Sequence, residues 1–162
     1  MSHRLVRRQI VGGTPASVFA FFKDPRNLEA MTPPWLGFRV VDATDPEVRL
    51  GTRIRYRLRL HGVPLRWESR IAEYVDDAMF ADEQIEGPYR RWYHRHLFRE
   101  VPGGVEVADV VEYQLRLGVV GRIVHGLWVR RQIEAIFDFR ARALGDLFPA
   151  AARGGVDREA VA

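Results

Sequence analysis

The chain has 162 residues, 47% of them apolar and 28% charged, with a net charge of +4 and a pI near 9.9. That is ordinary globular composition for one domain, enough to bury a core without staples. There is no cysteine, which excludes disulfides, thiolate metal sites and a cysteine nucleophile and fits a reducing compartment.

Residues 1–8 are charged and hold no seven-residue apolar run, so no signal peptide is expected. No stretch approaches the roughly 18 apolar residues of a membrane span, and a cytoplasmic protein without integral membrane association is expected. Thr14-Pro15 is a helix start, with threonine as cap and proline in the first turn; Val18, Phe19, Phe21 and Phe22 follow. Asp24-Pro25 is a second start, leading to Met31, and Thr32-Pro33-Pro34 stops it. The segment Pro34-Trp35-Leu36-Gly37-Phe38 is too apolar for an ordinary loop and reads as a gate at a cavity mouth.

From residue 38 to 116 the period is two, the mark of strands. Ile54, Tyr56, Leu58 and Leu60 alternate with arginines, and Leu65, Trp67, Ser69 and Ile71 alternate with Arg66, Glu68 and Arg70. Turns at His61-Gly62-Val63-Pro64, Asp76-Asp77, Glu86-Gly87-Pro88 and Pro102-Gly103-Gly104 divide the segment into hairpins. About six strands with no helix between them make an antiparallel meander. From residue 120 to 148 the period becomes 3.6: Ile123, Leu127, Ile133, Phe137, Leu144 and Phe148 share one stripe until Pro149. One striped helix and one half-apolar sheet must cover each other. The expected architecture is α+β, a helix-grip layout in which a curved antiparallel sheet wraps a long C-terminal helix, with a short helical pair near the N-terminus. Residues 1–148 form the single domain, and residues 149–162 are read as a flexible tail.

The run Phe80-x-Asp82-Glu83-Gln84-x-x-Gly87-Pro88-Tyr89-x-x-Trp92-x-His94-x-His96-x-Phe98 resembles a bacterial branch of the START-like, or SRPBCC, superfamily. So do Pro33-Pro34-Trp35-Leu36-x-Phe38, Gly62-Val63-Pro64-Leu65-Arg66-Trp67 and Ile136-Phe137-x-x-Arg140. The resemblance covers roughly residues 5–148. It implies a helix-grip fold and, from lipid and hormone carriers, polyketide cyclases and aromatases in that superfamily, a small hydrophobic ligand.

Strand parity selects what faces inward. Trp92, His94, His96 and Phe98 lie opposite Arg91, Arg95 and Arg99, so they point to the core. Phe80, Asp82 and Gln84 share one face of the preceding strand; Val107, Asp109, Val111, Tyr113 and Leu115 share one of the last. The turns set Phe80 opposite His96, Asp82 opposite His94, His96 opposite Asp109 and Trp92 opposite Tyr113. The ligand-binding set is then Trp35, Leu36, Tyr56, Trp67, Phe80, Asp82, Gln84, Trp92, His94, His96, Phe98, Tyr113, Arg130 and Phe137, with Arg130 or Arg140 reaching in to neutralise an aspartate.

The polar cluster reads first as a hydrogen-bonded network or a set of anchors in an apolar pocket. The alternative is a cyclase, aromatase or dehydratase using His94, His96 and Asp109 in acid–base work. A third possibility is an interaction domain with a vestigial cavity, the sign of which is a volume under roughly 300 Å³. His-x-His with Asp82 or Asp109 is also usable zinc spacing, but carboxylate–histidine pairs occur as often without metal. No metal and no cofactor are assigned. No aromatic residue interleaves the outward positions of the arginine run from Arg53 to Arg59, so base stacking has no platform and no nucleic-acid partner is expected. Val124, Trp128, Ala135 and Phe139 lie opposite the helix stripe; this apolar strip suggests a homodimer unless a loop covers it.

Overall fold

Alternation builds the sheet. In β3 (Arg53–Leu60) and β4 (Val63–Val75), Ile54, Trp67, Ser69 and Ile71 are buried while the arginines between them stand in solvent. The computed structural model describes residues 2–60, 62–116 and 128–150. It adds β1 (His3–Val11), β2 (Arg39–Ala43), β5 (Met79–Glu86), β6 (Arg91–Val101) and β7 (Gly104–Gln114). These make one antiparallel sheet in the order β1-β7-β6-β5-β4-β3-β2. Strands β2 to β7 are a meander, and β1 closes against β7.

The outer face is a lattice of ion pairs. Arg53 meets Glu68 at 2.7 Å, Arg95 meets Glu73 at 3.2 Å and Arg99 meets Glu106 at 3.0 Å. Arg55 pairs with Asp42 and Arg70 with Glu83. Each exposed pair contributes no more than about 1 kcal/mol; together they leave much of the arginine run neutralised rather than free for phosphates. A bulge in β4 between Ile71 and Glu73 reverses parity, so Tyr74 turns inward to Phe19 while Glu73 stays outside with Tyr93 and Arg95.

Helix α1 (Pro15–Lys23) starts where the sequence places it: Thr14 accepts from the Ser17 backbone and Ser17 answers Thr14, a capping box. Its Phe19 and Phe22 pack on Phe98 with ring centroids 5.1 and 4.9 Å apart. The second start, at Asp24, gives only one 3₁₀ turn, Pro25–Leu28, capped by Asp24. Another short turn, Pro34–Leu36, ends on Gly37 in the left-handed region.

Helix α2 (Arg130–Leu147) lies across the concave face, with Ile133, Phe137, Arg140 and Leu144 buried. Ile133 and Phe137 close a cluster with Leu5, Val111 and Tyr113, while Leu144 joins the α1 cluster. The expected helix from residue 120 falls partly on residues 117–127, outside those described, as do Ile123, Val124 and Leu127 and most of the expected tail.

The six-strand meander stands as β2 to β7, and the sheet gains a seventh strand, β1, that the sequence reading missed. β1 escapes the period-two reading because His3, Arg4, Arg7 and Arg8 dilute it and Leu5, Val6 and Arg7 are buried in succession, breaking the alternation. Arg7 is accommodated by Asp138 of α2, 3.6 Å away.

Candidate functional site

The three central strands carry the site. Their register sets Asp82 opposite His94, Phe80 opposite His96 and His96 opposite Asp109, the pairings the turns require. The side chains then cross. His94 Nε2 is 2.9 Å from Asp109 Oδ1, His96 Nδ1 is 3.0 Å from the same oxygen, and His96 Nε2 is 3.2 Å from Asp82 Oδ2. From α2, Arg140 places Nε 3.3 Å from Asp109 Oδ2 and Nη2 3.2 Å from His96 Nδ1. The Nε contact is an ion pair without hydrogen-bond alignment. His94, His96, Asp109 and Arg140 are all buried.

Burial dominates the ionisation of His94 and, with the neighbouring His96, lowers its pKa to about 4 against the pull of Asp109 and Asp82. Burial alone would raise the Asp109 carboxyl, but the Arg140 charge and the two imidazoles outweigh it and hold it well below the usual range. Asp82 is lowered too: burial opposes, while the His96 hydrogen bond, the His94 charge and Arg140 prevail.

A second network reaches Asp82 from β3 and β4. Trp67 Nε1–H donates to Ser69 Oγ at 3.1 Å, and the Ser69 hydroxyl donates to Asp82 Oδ1 at 3.3 Å. The Tyr56 hydroxyl, 2.7 Å from Ser69 Oγ, then acts as donor to it. Burial raises the Tyr56 phenol well above its usual value, so it stays protonated.

These groups edge a cavity of about 190 Å³ between sheet and α2. Tyr56 and Trp67 stack at 5.9 Å, and Trp92 meets Trp67 edge-on at 5.3 Å. Ile133, Ile136 and Phe137 close it from the helix, and Leu36 and Phe38 from the short turn.

Of the residues picked from sequence, Leu36, Tyr56, Trp67, Phe80, Asp82, Trp92, His94, His96 and Phe137 line this cavity. Others do not. Asp109 sits behind the histidines. Phe98 is core against α1. Tyr113 is buried beside Tyr89 and Trp92. Gln84 clamps the β5–β6 turn, where it bonds both backbone groups of Tyr89. Arg130 pairs with Glu134 at 3.0 Å, not with an aspartate; Arg140 does that work. Trp35 is 56% exposed and covers Phe139 edge-on at 5.8 Å, so part of the apolar strip on the helix has a loop over it. Trp128 remains exposed. Ser69 escapes the sequence reading as a site residue because a serine at an inward strand position looks like a small core residue.

The fold and cavity together define a helix-grip protein. The chain belongs to the polyketide cyclase/dehydrase and lipid transport family, whose model matches residues 11–155. Solved structures agree on the fold. A Thermus thermophilus protein, TTHA0849, is 22% identical with a TM-score of 0.64, over 90% of this chain and 95% of that one. Ginseng major latex-like protein 151 is 9% identical with a TM-score of 0.67, over 91% and 98%. The di-domain ARO/CYC StfQ of the steffimycin biosynthetic pathway is 11% identical with a TM-score of 0.70, over 89% of this chain and 49% of that one. Among curated proteins no sequence matches. No described helix is long and apolar enough to cross a membrane.

Proposed function

We propose that the protein binds a small hydrophobic molecule of one or two rings, seated among Tyr56, Trp67 and Trp92 with a polar group toward Asp82, His94 and His96. The observation that carries this reading is an apolar, aromatic-walled cavity with its polar groups gathered on the strand side, the usual arrangement for orienting a guest. Family membership supports it.

Volume narrows the guest. The 190 Å³ available lies under the roughly 300 Å³ at which clefts for drug-sized ligands begin, the sign of a vestigial cavity, so the binding reading holds only for a guest smaller than a typical ligand. The volume lies above the ~150 Å³ that holds a benzene-sized molecule. A long lipid chain exceeds it as the walls stand.

Cyclase or dehydratase chemistry is the second reading, favoured by the 2.9 Å contact between Asp109 and a histidine on the cavity wall, which is how a base is oriented. Binding is preferred because burial and the neighbouring His96 lower the His94 pKa to about 4, which makes it a weak general base near neutral pH.

Calorimetric titration with 2-naphthol tests the proposal. One site with Kd of about 10 µM is expected, roughly −7 kcal/mol, and Leu58→Phe, which adds a ring to the cavity wall, should abolish it. No heat from the native chain would mean that the cavity is vestigial. Retained affinity in His96→Gln points to a binder. Turnover of a keto substrate that this change removes points to an enzyme.

A further inference from the structure

We propose that Asp82, His94 and His96 form a site for a divalent transition-metal ion on the wall of the cavity. The proposal shares the cavity with the reading above but does not depend on its guest, and it reverses the expectation from sequence that no metal is held.

The donor atoms converge. His94 Nδ1 and His96 Nε2 stand 3.7 and 3.2 Å from one oxygen, Asp82 Oδ2. One donor atom from each of the three residues falls within 4.8 Å of the others. In a tetrahedral zinc site with bonds of about 2.0–2.1 Å, neighbouring donors lie about 3.4 Å apart. The two histidine–carboxylate separations bracket that value.

The outer contacts point the same way. Ligand imidazoles generally give their other N–H to a carboxylate, which fixes the lone pair on the metal side. Here His94 Nε2 and His96 Nδ1 lie 2.9 and 3.0 Å from Asp109 Oδ1. Asp109 is held in turn by Arg140, 3.3 Å away, and the free oxygen of Asp82, Oδ1, accepts from Ser69 at 3.3 Å. With His94 Nε2–H on Asp109, Nδ1 turns its lone pair toward Asp82 Oδ2, and His96 Nε2 does the same when its proton sits on Nδ1. A metal ion between them would be held by all three.

Arg140 lies against Asp109, while the basic groups against Asp82 are the two imidazoles, so a divalent ion between these three donors would sit directly on the Asp82 carboxylate. In the other neutral tautomer of His96, Nε2–H donates to Asp82 and Nδ1 accepts from Arg140 at 3.2 Å; a metal ion would take the place of that Nε2 proton. Two imidazoles and a carboxylate are the donor set of zinc and ferrous sites with open positions. All three residues line the cavity, which supplies the route of entry.

The test is titration of the chelator-stripped full chain with zinc by calorimetry and with cobalt(II) by visible absorption. The expected result is one equivalent bound, with the intense visible bands of four-coordinate cobalt. Asp82→Asn and His94→Ala should abolish binding, Asp109→Asn should weaken it about 10–100-fold, and His3→Ala should leave it unchanged. Should His94→Ala fail to fold by circular dichroism, the cobalt spectrum of the native chain decides alone. Absence of zinc binding, weak six-coordinate cobalt bands, or binding that survives Asp82→Asn and His94→Ala overturns the proposal and leaves the cluster as a hydrogen-bonded network. Naphthol binding to the stripped protein, with no zinc uptake, would sink the metal site and keep the guest.

Discussion

The guanidinium of Arg140 on the C-terminal helix stands 3.3 Å from the carboxylate of Asp109 on the last strand, and the two charges tie helix to sheet at the centre of the fold. The Arg140 guanidinium carbon also lies 5.2 Å from the centre of the Phe22 ring, so one side chain touches helix, sheet and the N-terminal cluster. Replacing Arg140 with methionine keeps the bulk and strands the aspartate. Breaking one half of a buried pair costs about 3–5 kcal/mol, whereas replacing both halves with apolar residues is often neutral. Denaturant midpoints should therefore show a large loss in Arg140→Met and recovery of most of it in Arg140→Met with Asp109→Leu. A single-variant loss below about 1 kcal/mol would show that this pair does not carry its charges in the folded core.

That pair also shows where reading the sequence stops. The helix stripe offers two arginines, Arg130 and Arg140, and helical phase alone permits either. Glu134 one turn after Arg130 is the clue that this arginine has a partner of its own. Sheet parity, by contrast, follows from arginines that must reach water, and the turns fix the register, so the meeting of Asp82, His94, His96 and Asp109 is legible in the residues alone. Parity says which face a residue takes and not how deep it lies, which is why Phe98, Tyr113 and Asp109 fall behind the cavity wall. Nor does parity survive a bulge: Tyr74 turns inward because Ala72 adds a residue to the strand. β1 is hidden for a related reason, since an arginine buried against an aspartate from a distant helix is invisible to local alternation.

Trp35 should act on exchange and not on stability. It is more than half exposed and touches Phe139 through one edge-on contact, while Leu36 beside it is buried and lines the cavity. An aromatic pair of this kind contributes about 0.5–1.5 kcal/mol, against about 3–5 kcal/mol for truncating a core aromatic such as Phe19. Stopped-flow mixing with 2-naphthol should show faster association and dissociation in Trp35→Ala at nearly unchanged thermal midpoint. A stability loss matching that of Phe19→Ala would place Trp35 in the core and remove its gating role.

Gln84 holds the turn between β5 and β6. Its amide donates to the Tyr89 carbonyl at 2.9 Å and accepts from the Tyr89 N–H at 3.2 Å, which seats the Tyr89 ring 5.6 Å from Trp67 and 4.9 Å from Trp92. Arg116 also donates to that carbonyl, so Gln84→Ala orphans the N–H alone. The expected loss is about 1–2 kcal/mol, with weaker 2-naphthol binding as the rim loosens. Gln84→Glu keeps an acceptor for the N–H and should lose less; equal losses in the two variants would mean that the clamp acts by packing and not by hydrogen bonding.

All five tyrosines are held above their ordinary ionisation near pH 10. Burial is the first cause in every case. Tyr113 is pushed to about 12 by burial, and Tyr93 to about 12 by burial together with its hydrogen bond to Glu73. Tyr56, beside Ser69 and near Asp82, moves further. A phenol that stays neutral in the fold but ionises in the unfolded chain makes the unfolded state the weaker proton binder above pH 10. The stability linked to these phenols is therefore intact below about pH 10 and declines from there through about pH 12, by about 1.4 kcal/mol per pH unit for each phenol concerned. Following phenolate absorbance and circular dichroism on one alkaline titration should show little ionisation near pH 10, then one steep rise in absorbance that coincides with loss of the fold. A separate phenolate step near pH 10 in the folded protein would show that at least one ring, the half-buried Tyr74 or Tyr93 before the more deeply enclosed Tyr56 and Tyr89, is not held as the structure places it.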